Sequence, residues 1–208
     1  MRMQSAIQWS LGAALVLAVL SATAALTGSQ SVQPPPNVVQ PVPKDDAKEF
    51  QGRVQKYLDI QKKALSKLKP LSKETTDAAV IAKHQEQLAA TIRMLRPNAM
   101  PGEIFTPWLK TTISGALKQQ VKGKAGADAK ATLLDEGNPK SPDAAPTAVK
   151  LTINGSYPEK APLSTVPPSV LAALPVLPDG VEYRFVGHTM ILRDTKANII
   201  VDTLPNAF

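Results

Sequence analysis

Two histidines, His84 and His188, and no cysteine make up the imidazole and thiol chemistry of this 208-residue chain. The missing cysteines exclude disulfide staples, thiolate metal sites, thiol nucleophiles and a lipid-bearing cysteine. A Ser/His/Asp hydrolase would have to combine His188 with Asp194 or Asp202, taking its hydroxyl from Ser164. No G-x-S-x-G, glycine-rich phosphate loop or H-E-x-x-H supports such a site. Two isolated histidines with no neighbouring His are a poor transition-metal set, so neither a metal nor a cofactor is expected. One acid–base cluster remains: Glu182, Arg184, Arg193, Asp194 and Asp202. On antiparallel strands this spacing favours cross-strand ion pairs over proton transfer. His84 falls in mid-helix at the edge of an apolar stripe, and His188 falls in a turn. No residue is assigned a catalytic, cofactor-binding or metal-binding role, and the inventory weighs against an enzyme.

The elements that must position these residues follow from periodicity. In KDDAKEFQGRVQKYLDIQKKALSKLKP, Phe50, Val54, Tyr57, Gln61, Ala64 and Leu68 recur at helical spacing. Acids precede lysines, Asp45 or Asp46 is the expected N-cap, and Pro70 stops the run. In the next segment Ala78, Ile81, Gln85, Leu88, Ile92 and Leu95 repeat the pattern up to Pro97. Both have coiled-coil-like spacing, and a short turn between them predicts an antiparallel helical hairpin. In that register Gln61 and Gln85 share a layer and are expected to hydrogen-bond to each other. A third helix begins at the Thr106 cap and Pro107, with Trp108, Leu109, Ile113, Leu117 and Val121 as its stripe.

From Ala148 the period changes to two. Val149, Leu151 and Ile153 alternate up to an Asn154-Gly155 turn. At the end of the chain, VEYRFV and TMILRD flank Gly187-His188, a two-residue hairpin signal, and NIIVD supplies a further strand. The predicted fold class is α+β: helical hairpin plus third helix, then a small antiparallel β meander of three or four strands. Pro168 to Leu174 reads as a short helix, and the proline run at 167–178 as an internal brace on the sheet, with an apolar docking ridge as the alternative.

Residues 1–24 carry a basic start, an apolar run and Ala22-Thr23-Ala24, the pattern of a signal peptide; the alternative is an uncleaved N-terminal anchor. Residues 25–43 hold five prolines and no charge, a proline-rich linker. The remaining divisions are a helical unit at 44–122, a loop at 123–147, with a short turn of helix at Ala127–Leu134 as its alternative, and a small β-rich unit at 148–208. Without the Arg2 of the leader the net charge is about +6, and 16 of the 23 remaining cations lie in residues 44–124. Only Arg53, Arg93 and Arg96 of those 16 are arginine, so a solvated lysine face is favoured and nucleic acid is not expected.

The segment RPNAMPGEIFTP at 96–107 and the tail VPPSVLAALPVLPDGVEYRFVGHTMILRDTKANIIVD at 166–202 resemble paired segments of an exported Gram-negative bacterial protein family with no assigned function. That resemblance implies an exported protein of one architecture and transfers no catalytic residue. Met100-Pro101 stands where the pattern favours polar residues. The expectation is a periplasmic or secreted, non-catalytic interaction protein whose amphipathic hairpin self-associates, binds a protein partner or meets an anionic envelope surface. The competing reading is a carrier or sensor that holds a small or anionic ligand between helices and sheet.

Overall fold

The computed structural model describes residues 41–72, 74–136, 151–157 and 165–208. The leader at 1–24, the linker up to residue 40, Val149 and Ser164 lie outside the described residues.

Five helices precede three strands: α1 (Lys44–Leu65), α2 (Ala78–Leu95), α3 (Pro107–Gln120), α4 (Gly123–Glu136), α5 (Pro168–Ala173), β1 (Val181–Val186), β2 (Thr189–Asp194) and β3 (Ile199–Leu204). The fold is therefore α+β, with a small antiparallel sheet of order β1-β2-β3 at the C-terminal end. α1 starts after Pro43 with no side-chain cap, so Asp45 and Asp46 serve in the first turn, opposite the N-terminal dipole. α2 is capped by Asp77, whose carboxylate accepts from the Ala79 and Val80 N–H groups. Thr106 caps α3 through the Leu109 N–H, with Pro107 at the first helical position as expected.

Gly123–Glu136 is helical, where composition predicts a loop. Gly and Asp near its start lower intrinsic propensity, but Ala129 and Leu133 reach the main core, and that burial decides the matter. Whether the helical and β-rich stretches pack together is not legible in the sequence; in the structure they share one core. The described residues form one compact unit, and a single core joins Phe50, Val54, Leu88 and Ile92 to Phe185, Leu192, Ile199 and Leu204. Each of these side chains contributes about 1.5–3 kcal/mol on full burial. Even the end of the linker belongs to this core: Val42 is 6% exposed and its N–H donates to the Ala173 carbonyl.

β1 and β2 are joined by Gly187-His188, with Val186 opposite Thr189. Gly187 takes φ +54°, the left-handed first position that this tight turn requires. Between β2 and β3 a bulge leaves Val201 as the extra residue, since Leu192 faces Asp202 while Arg193 faces Ile200. No fourth strand is formed by the described part of the 148–153 region. Instead, Asn154–Tyr157 runs beside β3 through a Ser156–Ile199 bridge and backbone bonds from Asn154 and Tyr157. Tyr157, with Leu151 and Ile153, covers Ile191 and Ile200 on the outer face, so all six residues of β3 are buried. α5 forms as the expected short helix and packs chiefly against α3, with Val170 and Ala173 fully buried.

One stripe assignment is corrected. Trp108 is 64% exposed, its indole N–H donating to Asp46, while Leu109, Ile113 and Leu117 are fully buried. Pro107 and Trp108 sit at the start of α3, one position away from the face that Leu109 turns inward. Trp108→Ala is expected to change stability by less than about 0.5 kcal/mol, and Leu109→Ala to cost about 2–5 kcal/mol. Urea denaturation of both variants checks this.

Candidate functional site

Strand pleating divides the acid–base cluster between the two faces of the sheet. Glu182 lies opposite Arg193, and Arg184 follows two residues after Glu182, so these three share the outer face. Asp194 lies opposite Val181 and Asp202 opposite Leu192, which puts both aspartates on the inner face, against the helices.

On the outer face the expected cross-strand pair is present. Arg193 Nη1 donates to Glu182 Oε1 at 2.6 Å, and Arg184 Nη2 donates to Glu182 Oε2 at 2.7 Å. Arg193 also donates to Asn198 Oδ1 and lies over the Tyr157 ring. Burial alone would raise the Glu182 pKa, but the bonds and charges of Arg184 and Arg193 outweigh it and hold the carboxyl below its ordinary value. A carboxyl with a depressed folded-state pKa adds stability above its unfolded pKa and loses it as pH falls through the folded value. Glu182→Gln should therefore flatten the stability loss on acidification below about pH 4.5. Chemical denaturation at pH 3 to 7 would reveal an unchanged slope if the account is wrong.

On the inner face each aspartate is fully buried and saturated. Asp202 Oδ1 accepts from the N–H groups of Gly102 and Thr203, both at 2.8 Å. Its Oδ2 accepts from those of Ile104 at 2.7 Å and Phe105 at 2.8 Å. Four backbone dipoles thus stand in for water around the charge. Gly102 adopts φ +92°, which lets the 102–105 backbone curl around the carboxylate. Asp194 Oδ2 accepts from the Tyr57 hydroxyl at 2.5 Å and the Gln61 amide at 2.7 Å. Its Oδ1 accepts from the Lys196 and Ala197 N–H groups and so closes the turn into β3.

Arg96 ties these parts together. It is 8% exposed, lies over the Tyr57 ring, and donates to Glu103 Oε2, Asn154 Oδ1 and the Val201 carbonyl that the bulge presents. Asn154 returns a bond from its amide to the Arg96 carbonyl. Glu103 also accepts from the Met100 N–H. The segment at 96–107 and the β2–β3 tail are thereby two halves of one clasp.

The structure does not bring the sequence-derived hydrolase residues together. His188 Nδ1 is 3.1 Å from the Phe208 carbonyl oxygen, and its ring packs on Phe208, at the hairpin tip. Neither Asp194 nor Asp202 has His188 among its partners. His84 is half-buried on α2. The expected Gln61–Gln85 bond is absent: Gln61 is taken by Asp194, and Gln85 lines an outer groove with Glu86, Ser156 and Asn198. No group of three or more His, Asp or Glu suited to a metal occurs among the described residues. Tyr57, Gln61, Arg96 and Glu103 are the residues that the sequence argument did not connect to the aspartates. The one available signal is Gln61, a polar interruption of the α1 stripe, which the sequence argument pairs with Gln85 instead.

Surface depressions lie elsewhere on the described residues. One of about 490 Å³ is bounded by Leu171, Val176, Val181 and Tyr183. One of about 340 Å³ separates α2 from the turn into β3. Another, about 120 Å³, is lined by Arg53, Lys56, Tyr57, Ile60, Arg96, Glu103 and Ile104. No family model, curated protein or solved structure matches the chain. Among the described residues no helix is long and apolar enough to cross a membrane.

Proposed function

We propose that this chain is an exported, non-catalytic protein of the bacterial envelope that acts by binding, and that α1 and α2 form an antiparallel hairpin within it. The observation that carries the reading is the saturation of its buried acids. Asp194 and Asp202 each accept four hydrogen bonds from the chain itself, which leaves no lone pair poised to take a proton from a substrate. Export is supported by the leader pattern at residues 1–24, and an anchored form remains its alternative. The apolar stripe of the hairpin, Phe50, Val54, Leu88 and Ile92, is spent on the protein's own core. Contact with a partner or a second copy therefore falls to the outer surface, where Met94, Met100 and Trp108 are exposed.

In-cell photo-crosslinking tests this reading. A photoreactive residue at Trp108 should yield a discrete adduct in the envelope fraction. The same probe at Lys83 or Lys118 serves as a comparison. Recovery of the protein in the cytosolic fraction, or no adduct from any exposed position, would sink the proposal.

A further inference from the structure

We infer that the 120 Å³ pocket between α1 and the 96–104 segment is a binding site for a phosphate group, carried either by a small soluble molecule or by the head group of an anionic lipid. Arg53 and Lys56 stand one helical turn apart on α1, and Arg96 enters from the end of α2. Of the charged residues lining the pocket, three are cations and one, Glu103, is an acid. Glu103 is already engaged by Arg96 and by the Met100 N–H. Arg53 spends its Nε on Glu49 and its Nη1 on the Glu103 carbonyl. Lys56 makes no ion pair or hydrogen bond among the described residues, and the Arg53 Nη2 has none there either. The pocket thus offers unspent cationic donors beside a buried guanidinium.

Size limits the ligand. The pocket, about 120 Å³, takes one oxyanion head, and the rest of any larger ligand would lie outside it. Ile60 and Ile104 wall the pocket with apolar surface, which suits a tetrahedral head on a short apolar stem. This inference does not depend on the envelope-binding reading, since a soluble phosphate ligand would fit a protein with no macromolecular partner.

The test uses the purified chain in two arms. In the first, inorganic phosphate is titrated at constant ionic strength, with sulfate and chloride as comparisons, because phosphate and sulfate also stabilise proteins by exclusion. Saturable binding is expected by calorimetry, weakened about tenfold in Lys56→Ala through loss of one charge-assisted bond. Lys62→Ala, on the same helix outside the pocket, should match the parent. Arg53→Ala should weaken binding too; because it also removes structural bonds, Lys56→Ala decides. In the second arm, flotation with phosphatidylglycerol vesicles should show capture that Lys56→Ala reduces, if the phosphate is a lipid head group. Free-phosphate binding without vesicle capture assigns the soluble source. Equal behaviour of parent and Lys56→Ala in both arms would overturn the inference.

Discussion

Asp202→Ala is expected to destabilise the protein by at least about 4 kcal/mol, a large part of the ~5–15 kcal/mol that holds a typical domain together. The substitution removes the common acceptor of four backbone N–H groups, those of Gly102, Thr203, Ile104 and Phe105. Each buried donor left without a partner costs about 1–3 kcal/mol, and water entering the new space recovers part of the sum. The loss is not confined to β3. The 102–105 backbone precedes the Thr106 cap of α3, and Ile104 and Phe105 are core residues, so releasing the carboxylate frees one side of the core. Asp202→Asn separates chemistry from packing. It is nearly isosteric, but its amide nitrogen would face two N–H donors, so it should cost about 3 kcal/mol. Urea denaturation of both variants provides the measurement. A change below about 1 kcal/mol for Asp202→Asn would show that the four bonds carry little.

The distribution of these bonds explains how much could be read from the sequence. Apolar periodicity places α1, α2, α3 and the three strands, because Phe50, Val54, Leu88 and Ile92, or Tyr183 and Phe185, bury along one face with the period of their element. Gly187-His188 and the Thr106-Pro107 start are legible for a local reason: turn and cap chemistry act within a few residues. Failures occur where distant groups set the outcome. α4 becomes helical because Leu133 finds a core assembled by other elements. Trp108 leaves the stripe because the adjacent Leu109 takes the inward position. Gln61 abandons Gln85 for Asp194, a partner 133 residues away. No periodicity encodes a side chain that bonds to backbone N–H groups some hundred residues distant, as Asp202 does with Gly102, Ile104 and Phe105. Residues 96–107 and 166–202 contain most of the clasp: Arg96, Gly102, Glu103, Asp194 and Asp202. Their physical demands are those of a buried polar joint, which tolerates few substitutions whether or not a ligand is bound.

The joint between α1 and the sheet leads to the second large effect, and pH gives it a signature that packing lacks. Burial, followed by the charge and hydrogen bond of Asp194, pushes the Tyr57 hydroxyl well above the ordinary tyrosine range, with Arg96 opposing. A group whose folded-state pKa is raised contributes stability that is fully present below its unfolded value, about 10, and is lost as pH rises beyond it. The parent should therefore lose stability steeply above pH 10, and part of that slope belongs to Tyr57. Tyr183, whose hydroxyl donates to the Pro175 carbonyl, is raised by burial in the same direction and keeps a residual slope in any Tyr57 variant. Tyr57→Phe should cost about 1.5–3 kcal/mol at pH 7, the range for a hydrogen bond to a charged group, and should make the alkaline slope shallower. Asp194→Asn should cost about 3 kcal/mol by also weakening the turn closed by the Lys196 and Ala197 N–H groups. The two side chains share one bond, so the double variant should fall short of additivity by about 1–3 kcal/mol. Additive losses together with an unchanged alkaline slope would mean that Tyr57 merely fills space. The coupling expected instead makes the bond itself a contributor, beside the Gln61–Asp194 bond and the shared core, to the joint between helix and sheet.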